Sequence, residues 1–132
     1  MIIVLANGCF DLLHPGHVMH LQEARRLGTF LVVSLTLDEH VNKGPGRPVW
    51  TWDKRAHMLR ALRCVDEVVA SVCSEDAIRK VRPNVFVKGI DYINKGLRQQ
   101  DYQACFDVGA VIRFTCTEKM SATDIIKKAR IL

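Results

Sequence analysis

Five short runs of apolar, mostly β-branched residues alternate with segments of helical periodicity along the chain. The runs are Ile2 to Ala6, Phe30 to Leu35, Val65 to Ala70, Asn84 to Val87 and Ala110 to Phe114. They are nearly continuous in hydrophobicity, as expected for strands that are covered on both faces. This alternation predicts an α/β fold with a doubly wound, parallel sheet of about five strands. We expect one domain over residues 1–132, because this length suits a single core.

The segments between and after these runs are predicted to be helices. They are His17 to Leu27, closed by Gly28; Thr51 to beyond Leu62; Ser74, as the N-cap, to Val81; Gly96 or Leu97 to Val108; and Ala122 to Arg130, opened by Ser121. Gly28 has the residue type that usually follows a helix C-terminus, and Pro83 would stop the third helix. Ser121 with Asp124 resembles a capping box.

Composition argues against several functional classes. No apolar run approaches the roughly 20 residues of a membrane span, and the start of the chain lacks the basic region of a signal peptide. We therefore expect a cytoplasmic protein. The five cysteines form no CxxC pair, which fits neither a disulfide framework nor a zinc site. The net charge of +5 suits a polyphosphate substrate, and without a basic helical stripe or stacking motifs we expect no nucleic-acid partner.

In a doubly wound, Rossmann-like sheet, ligands bind beyond the carboxyl ends of the strands, where the strand order reverses. The segments expected there are Asn7 to Gly16, Leu37 to Trp50, Lys88 to Lys95 and Thr115 to Ser121. The loop Lys43 to Pro48 is rich in glycine and proline, which indicates an irregular loop. Unusual residues also collect in these segments, so we expect the functional site there.

The loop after the first predicted strand carries the most informative motif. Asn7-Gly8-Cys9-Phe10-Asp11 is followed closely by His14-Pro15-Gly16-His17. Gly8 permits close backbone approach, and N–H groups beside it can bind phosphate oxygens. The helix predicted to start at His17 points its positive end into the same pocket. The two histidines suit imidazoles that converge on one phosphate, and without a third ligand they do not favour a zinc site.

The His14-Pro15-Gly16-His17 segment matches the HxGH signature, and the chain resembles the nucleotidyltransferase superfamily that carries it. This superfamily includes cytidylyltransferases and pantetheine-phosphate and heptose-phosphate adenylyltransferases. The resemblance covers essentially the whole chain. Four segments look closest to the heptose 1-phosphate adenylyltransferase domain: Asn7 to Asp11, Arg47 to Val49, Val87 to Tyr92 and Ser121 to Ile126. Glycerol-3-phosphate cytidylyltransferase is the nearest rival.

The resemblance implies a role for each matching residue. The catalytic residues would be His14 and His17, which stabilise charge on the α-phosphoryl group, and Lys43, which binds phosphate. The nucleotide-binding residues would be Asn7, Gly8, Cys9, Phe10, Gly16, Lys88, Gly89, Asp91, Ser121 and Thr123. The substrate-binding residues would be Asp11, Arg47, Arg55 and Arg63. Ala122 departs from the family pattern, which has threonine there.

For two features, a purely structural explanation is as well supported as a functional one. Arg63 is as well explained by a solvated helix charge as by substrate binding. Trp50 and Trp52 would form either a wall that faces sugar or a partner, or buried support for the second helix.

Three functions follow from the residues and the resemblance. The first is a nucleotidyltransferase that moves a nucleotidyl group from a nucleoside triphosphate, ATP by preference, to a sugar phosphate such as heptose 1-phosphate, with release of pyrophosphate. The second is a CTP-dependent cytidylyltransferase acting on glycerol 3-phosphate or a similar polyol phosphate. The third is a non-catalytic nucleotide-binding module. For the enzymes, the family implies Mg²⁺ with the triphosphate, no metal site in the protein itself, and a homodimer.

Overall fold

The computed structural model describes residues 1–116, in which five strands and five helices alternate. The strands are β1 (Ile3–Gly8), β2 (Phe30–Thr36), β3 (Glu67–Ser71), β4 (Val85–Gly89) and β5 (Val111–Thr115). The helices are α1 (Pro15–Arg25), α2 (Trp52–Arg60), α3 (Ser74–Val81), α4 (Tyr92–Lys95) and α5 (Gln99–Val108), with a single 3₁₀ turn at Asp38–His40. The helix predicted at Ala122 to Arg130, with Ser121 as its cap, lies outside the described residues.

The five strands form one parallel sheet in the order β3-β2-β1-β4-β5. β1 is central: Val4 lies opposite Leu31 of β2 on one side and opposite Val85 of β4 on the other. The chain winds outward from β1 to β3 and then returns past β1 to β4 and β5. The predicted doubly wound, Rossmann-like parallel sheet is confirmed, and its strand order reverses between β1 and β4.

Both faces of the sheet are buried, and successive strand residues contribute to opposite faces. Val4 and Ala6 pack with Leu21 of α1 and Leu59 of α2 on one face. Leu5 packs on the other face, with residues of α3 and α5. This two-sided burial explains why the strands read as continuous apolar runs in the sequence.

Helix α1 begins two residues earlier than expected, at Pro15, because proline has no N–H to lose and a favourable φ at the first helical position. It ends at Arg25, so Gly28 is not its closing residue, and Leu27, the predicted last residue, is 36% exposed. Glycine is needed at position 28 for a steric reason. A Cβ there would lie 2.6 Å from the carbonyl oxygen of Ile2 and 2.7 Å from Cγ2 of Val4.

Other predicted helix bounds also shift. Helix α2 opens after Thr51 and buries Ala56 and Leu59, but it ends at Arg60, before the predicted end beyond Leu62, so Arg63 lies outside it. Cys73, and not Ser74, is the N-cap of α3. The hydroxyl of Ser74 instead donates to the Asp101 carboxylate at 2.6 Å. The short α4 was not predicted, and α5 starts only at Gln99.

Candidate active site

A cleft of about 260 Å³ opens at the carboxyl ends of β1, β4 and β5, where the strand order reverses. Four parts of the chain meet there: the loop after β1 with the start of α1, the loop that carries Lys43, the end of β4, and the end of β5. The lining residues are Asn7, Gly8, Cys9, Phe10, His14, Gly16, His17, His20, Lys43, Val87, Lys88, Gly89, Asp91, Tyr92 and Thr115.

Helix α1 presents its amino terminus to this cleft. His14 is the N-cap, in an extended conformation, and its side chain makes no capping hydrogen bond. The first turn of α1 contains no acidic residue, so no carboxylate there neutralises the partial positive charge of the helix end. Gly16, in that first turn, lines the cleft. The cleft therefore combines free helix N–H groups with a positive helix end, which favours an anion such as phosphate.

The rings of His14 and His17 are stacked, with centroids 3.7 Å apart and planes inclined by 22°. The Nδ1 atoms of both rings are buried and have no hydrogen-bond partner among the described residues. A buried N–H without an acceptor is rarer than a buried acceptor without a donor. The ring protons are therefore best placed on Nε2, which makes each imidazole a potential N–H donor.

Both imidazoles are neutral near neutral pH. Burial, together with the nearby His14, His20 and Lys43, lowers the pKa of His17 to about 3. Burial also lowers the pKa of His14. A bound anion would favour the protonated form of either ring. The pair can therefore respond to phosphate charge, which a permanently charged side chain cannot do.

Phe10 covers the floor of the cleft and explains Gly8. A Cβ at position 8 would lie 2.9 Å from Cε2 of the Phe10 ring. The same ring meets the edge of His17 at a centroid distance of 5.1 Å. Phe10 adopts a φ of +44°, a conformation that non-glycine residues rarely take and that is often found at functional sites. Gly8 and Phe10 together hold His17 in place.

Two serine hydroxyls fix the orientation of the Asn7 side chain. Its Oδ1 accepts hydrogen bonds from Ser34 of β2 at 2.6 Å and from Ser71 of β3 at 3.2 Å. Ser34 and Ser71 are both almost fully buried. Since Oδ1 is occupied by two donors, the amide NH₂ is the group that Asn7 offers to the cleft.

Two lysines bring positive charge to opposite sides of the cleft. Lys43 is exposed on its loop between β2 and α2. Lys88, near the end of β4, lies with Nζ 4.4 Å from the ring centroid of Tyr92, a cation–π contact. A Cβ at Gly89 would come within 2.8 Å of Oδ1 of Asp91, so glycine lets the Asp91 carboxylate lie against the strand end.

Asp11 and Arg47, both predicted to bind substrate, bind each other. Asp11 is 2% exposed; its carboxylate accepts from Arg47 Nε and from the backbone N–H groups of Val49 and Trp50. Burial raises the pKa of Asp11, but these hydrogen bonds and the charge of Arg47 outweigh it and hold the pKa below its ordinary value. The pair fixes the loop before α2 against the loop after β1.

Arg55 lies inside the protein, fully buried at the start of α2. Its guanidinium donates to the carbonyl oxygens of Cys9 at 2.8 Å and Trp50 at 3.0 Å, and to the carboxylate of Asp38. Cys9 belongs to the loop after β1, whereas Asp38 and Trp50 lie at the two ends of the connection between β2 and α2. Arg55 thus joins the loops, and it does not line the cleft itself.

The structure brings together eleven predicted site residues at the cleft. They are His14, His17 and Lys43, with Asn7, Gly8, Cys9, Phe10, Gly16, Lys88, Gly89 and Asp91. The four predicted substrate-binding residues, Asp11, Arg47, Arg55 and Arg63, do not line it, and Arg63 is exposed after α2. Ser121 and Thr123 lie outside the described residues.

Sequence reasoning missed His20 as a cleft residue, and it placed Thr115 only within a segment expected near the site, without a role. Nδ1 of His20 lies 2.7 Å from Oγ1 of Thr115, although the two are 95 positions apart. One signal was available, because His20 follows His17 by three residues and so lies on the same side of α1.

Trp52 supports the second helix from within. Its Nε1 donates to the carbonyl oxygen of Leu35 at 2.8 Å, and its ring packs partly buried against the core. Trp50 is 39% exposed and borders a surface groove with Asp53, Lys54, His57 and Met58. Of the two interpretations of this tryptophan pair, buried support applies to Trp52.

None of the helices within residues 1–116 has the length and apolarity needed to cross a membrane.

Comparison with known proteins gives a consistent result. Residues 5–128 match the family model described as cytidylyltransferase-like. Over 132 aligned residues the chain is 42% identical to the bifunctional protein HldE of Syntrophotalea carbinolica, covering 96% of this chain and 26% of that protein. It is 48% identical over 99 residues to the bifunctional protein HldE of Helicobacter pylori, covering 70% and 21%. The chain thus spans about a quarter of the length of these relatives.

Among solved structures, the lipopolysaccharide core biosynthesis protein of Thermoplasma volcanium superposes with a TM-score of 0.72 and 25% identity, covering 92% of this chain and 99% of that one. The fold, the cleft and the family match over almost the whole chain lead to the same assignment. This chain belongs to the cytidylyltransferase-like family, and the predicted enzyme class, a nucleotidyltransferase, is confirmed.

Proposed function

We propose that this protein transfers an adenylyl group from ATP to a sugar phosphate, with heptose 1-phosphate as the preferred candidate, and releases pyrophosphate. The observation that carries the proposal is the stacked pair His14 and His17 at the amino terminus of α1. Both imidazoles, the amino terminus of α1 and the two lysines line the same cleft. Such a cleft suits a phosphoryl group that changes its charge during reaction.

The chemistry requires little beyond positioning and charge stabilisation. A phosphate oxygen of the acceptor attacks the α-phosphorus, and the bond from that phosphorus to the bridging oxygen breaks. Pyrophosphate leaves with the electron pair. The acceptor oxygen is already ionised near neutral pH, so no strong general base is needed. His14 and His17 would stabilise charge on the α-phosphoryl oxygens, and Lys43 and Lys88 would offset the charge of the other phosphates.

The nucleotide would be held by groups that already face the cleft. Asn7, Gly8, Gly89 and Asp91 line the cleft, and we propose that they contact the phosphate, ribose or base. Cys9, Phe10 and Gly16 would line its path, and Ser121 and Thr123 remain proposed contacts.

We propose a different role for three of the residues expected to bind substrate. Asp11, Arg47 and Arg55 shape the loops that border the cleft, through the hydrogen bonds described above. Arg63 remains a proposed substrate contact near a dimer interface.

Mg²⁺ is expected to enter with the triphosphate. Within residues 1–116, no three His, Cys, Asp or Glu side chains are grouped so as to hold a metal ion. Mg²⁺ usually binds substrate phosphates, water and one or two carboxylates. The described cleft fits that mode, since it has room beside the lysines and one carboxylate, Asp91. When bound, the cation would supply charge neutralisation on the leaving pyrophosphate.

Pyrophosphate release, measured with purified protein and Mg²⁺, tests the proposal directly. ATP with heptose 1-phosphate should give release at least tenfold faster than CTP with glycerol 3-phosphate. The reverse order would favour the cytidylyltransferase. Nucleotide binding without release, over a broad panel of acceptors, would favour a non-catalytic module.

We further propose a cytoplasmic homodimer. The groove bordered by Trp50 and Met58 is the candidate contact, because it exposes apolar surface beside α2.

A further inference from the structure

His20 is an imidazole of the cleft to which none of the roles above is assigned. It lies three residues after His17 on α1 and lines the cleft on the side of β4 and β5, where Lys88, Asp91 and Thr115 also lie. Lys43 lies across the cleft, on the loop that follows β2. His20 therefore lies on the opposite side of the cleft from the Lys43 loop.

Thr115 fixes the orientation of this ring. It ends β5, is fully buried, and places Oγ1 2.7 Å from Nδ1 of His20. A buried hydroxyl that donates to nothing is energetically unfavourable. Within residues 1–116, Nδ1 of His20 is the hydrogen-bond partner of this hydroxyl, which favours donation from the Thr115 O–H to Nδ1. The ring proton then resides on Nε2.

We propose that His20 is a third imidazole that contacts the nucleotide, held by Thr115 so that its Nε2–H donates to a nucleotide oxygen. This inference rests on the proposed function. Burial lowers the pKa of His20, and Lys88 lowers it further against the opposing effects of Glu23 and Asp91, so the ring is a neutral donor at neutral pH. It lies a turn farther along α1 than the stacked pair. Its contribution therefore falls on nucleotide binding and not on the charge that develops at the α-phosphoryl group.

Binding of a non-hydrolysable ATP analogue, measured by calorimetry with Mg²⁺, tests the contact. His20→Phe keeps a ring and removes the donor, so affinity should fall about tenfold, the value of one hydrogen bond. The Michaelis constant for the nucleotide should rise by a larger factor than turnover falls. Thr115→Val should weaken binding, whereas Thr115→Ser, which keeps the hydroxyl, should not. Met19→Ala, an exposed neighbour on α1, is the matched control and should bind normally.

The tautomer is tested separately by ¹⁵N NMR of the imidazole in the unchanged protein, which does not depend on how the variants fold. The expected spectrum has the proton on Nε2 of His20, and the Nε2 signal should shift when the analogue binds. A proton on Nδ1, or analogue affinity unchanged in His20→Phe, would overturn this inference alone. Failure of the unchanged protein to bind any nucleoside triphosphate would overturn the proposed function together with it.

Discussion

At the scale of single residues, the stacked imidazoles lead to a clear kinetic prediction. Replacing His14 or His17 with alanine should reduce turnover by roughly 10²–10³-fold, as the loss of one preorganised donor does elsewhere. Nucleotide affinity should change much less, because the donors act on charge that grows in the transition state. Pyrophosphate release and calorimetry measure the two quantities. His57→Ala, an exposed histidine on α2, controls for loss of an imidazole; near-normal turnover in both active-site variants would contradict the assignment.

His17 should also make the protein sensitive to mild acid. Its pKa in the folded protein is about 3, against an ordinary value of 6.5. Between these values the unfolded chain binds a proton that the folded chain does not, so the free energy of unfolding should fall as the pH drops below 6.5.

His17→Gln removes the titratable imidazole. The free energy of unfolding of this variant should therefore fall less between about pH 7 and pH 5. Urea denaturation at several pH values measures the difference. His14 and His20 have lowered pKa values too, so the variant keeps part of the dependence. Identical pH profiles for the two proteins would rule out a buried, neutral His17.

At the scale of loops and helices, Arg55 is expected to matter for stability. Arg55→Ala leaves the carbonyl oxygens of Cys9 and Trp50 without a donor in the interior. The expected loss is more than about 2 kcal/mol in the free energy of unfolding, since each buried group left unsatisfied costs roughly 1–3 kcal/mol. The exposed Arg63 is the matched control, and its alanine variant should stay within about 0.5 kcal/mol. Equal effects at the two positions would show that Arg55 does not join the loops.

The Lys43 loop should affect kinetics and leave stability unchanged. Lys43 is exposed and follows β2 through a loop in which Gly44 and Gly46 take positive φ values. Lys43→Ala should raise the Michaelis constant for the nucleotide and slow turnover, with an unchanged melting temperature, because little packing is lost. Calorimetric melting and initial rates check both parts. A large drop in melting temperature with normal rates would argue against phosphate binding.

How much of the fold and of the candidate site could be predicted from the sequence depends on how far apart the contacting residues lie along the chain. The local hydrophobic pattern located both ends of every strand to within about two residues, because burial on both faces gives a continuous apolar run. It also placed His14 and His17 at a helix start. It could not find the pairing of Asp11 with Arg47, nor that of His20 with Thr115, because such contacts depend on tertiary packing. The prediction that Gly28 closes α1 was wrong for a related reason: its close approach to Ile2 cannot be recognised from the local sequence.

At the scale of the whole molecule, we expect a homodimer formed through the groove of Trp50 and Met58. Met58→Glu would place a charge in that contact and should shift the protein towards monomer. Analytical ultracentrifugation across a wide range of concentrations measures the mass of both proteins. Asp53→Ala, at the same groove but without an added charge, is the control. A monomer at every concentration, with full activity, would disprove the dimer and leave Arg63 as an ordinary surface charge.

The central place of β1 has a consequence for how the protein is made. Of the five strands, β1 leaves the ribosome first, yet it lies between β2 and β4, and β4 begins only at Val85. During synthesis of the intervening residues, one edge of the first strand has no neighbour and remains exposed to pairing with other chains. The cleft needs the ends of both β4 and β5, so a nascent chain cannot hold nucleotide until nearly all of residues 1–116 have emerged. Nucleotide therefore cannot help to fold the early part of the chain, and it can stabilise only the finished sheet.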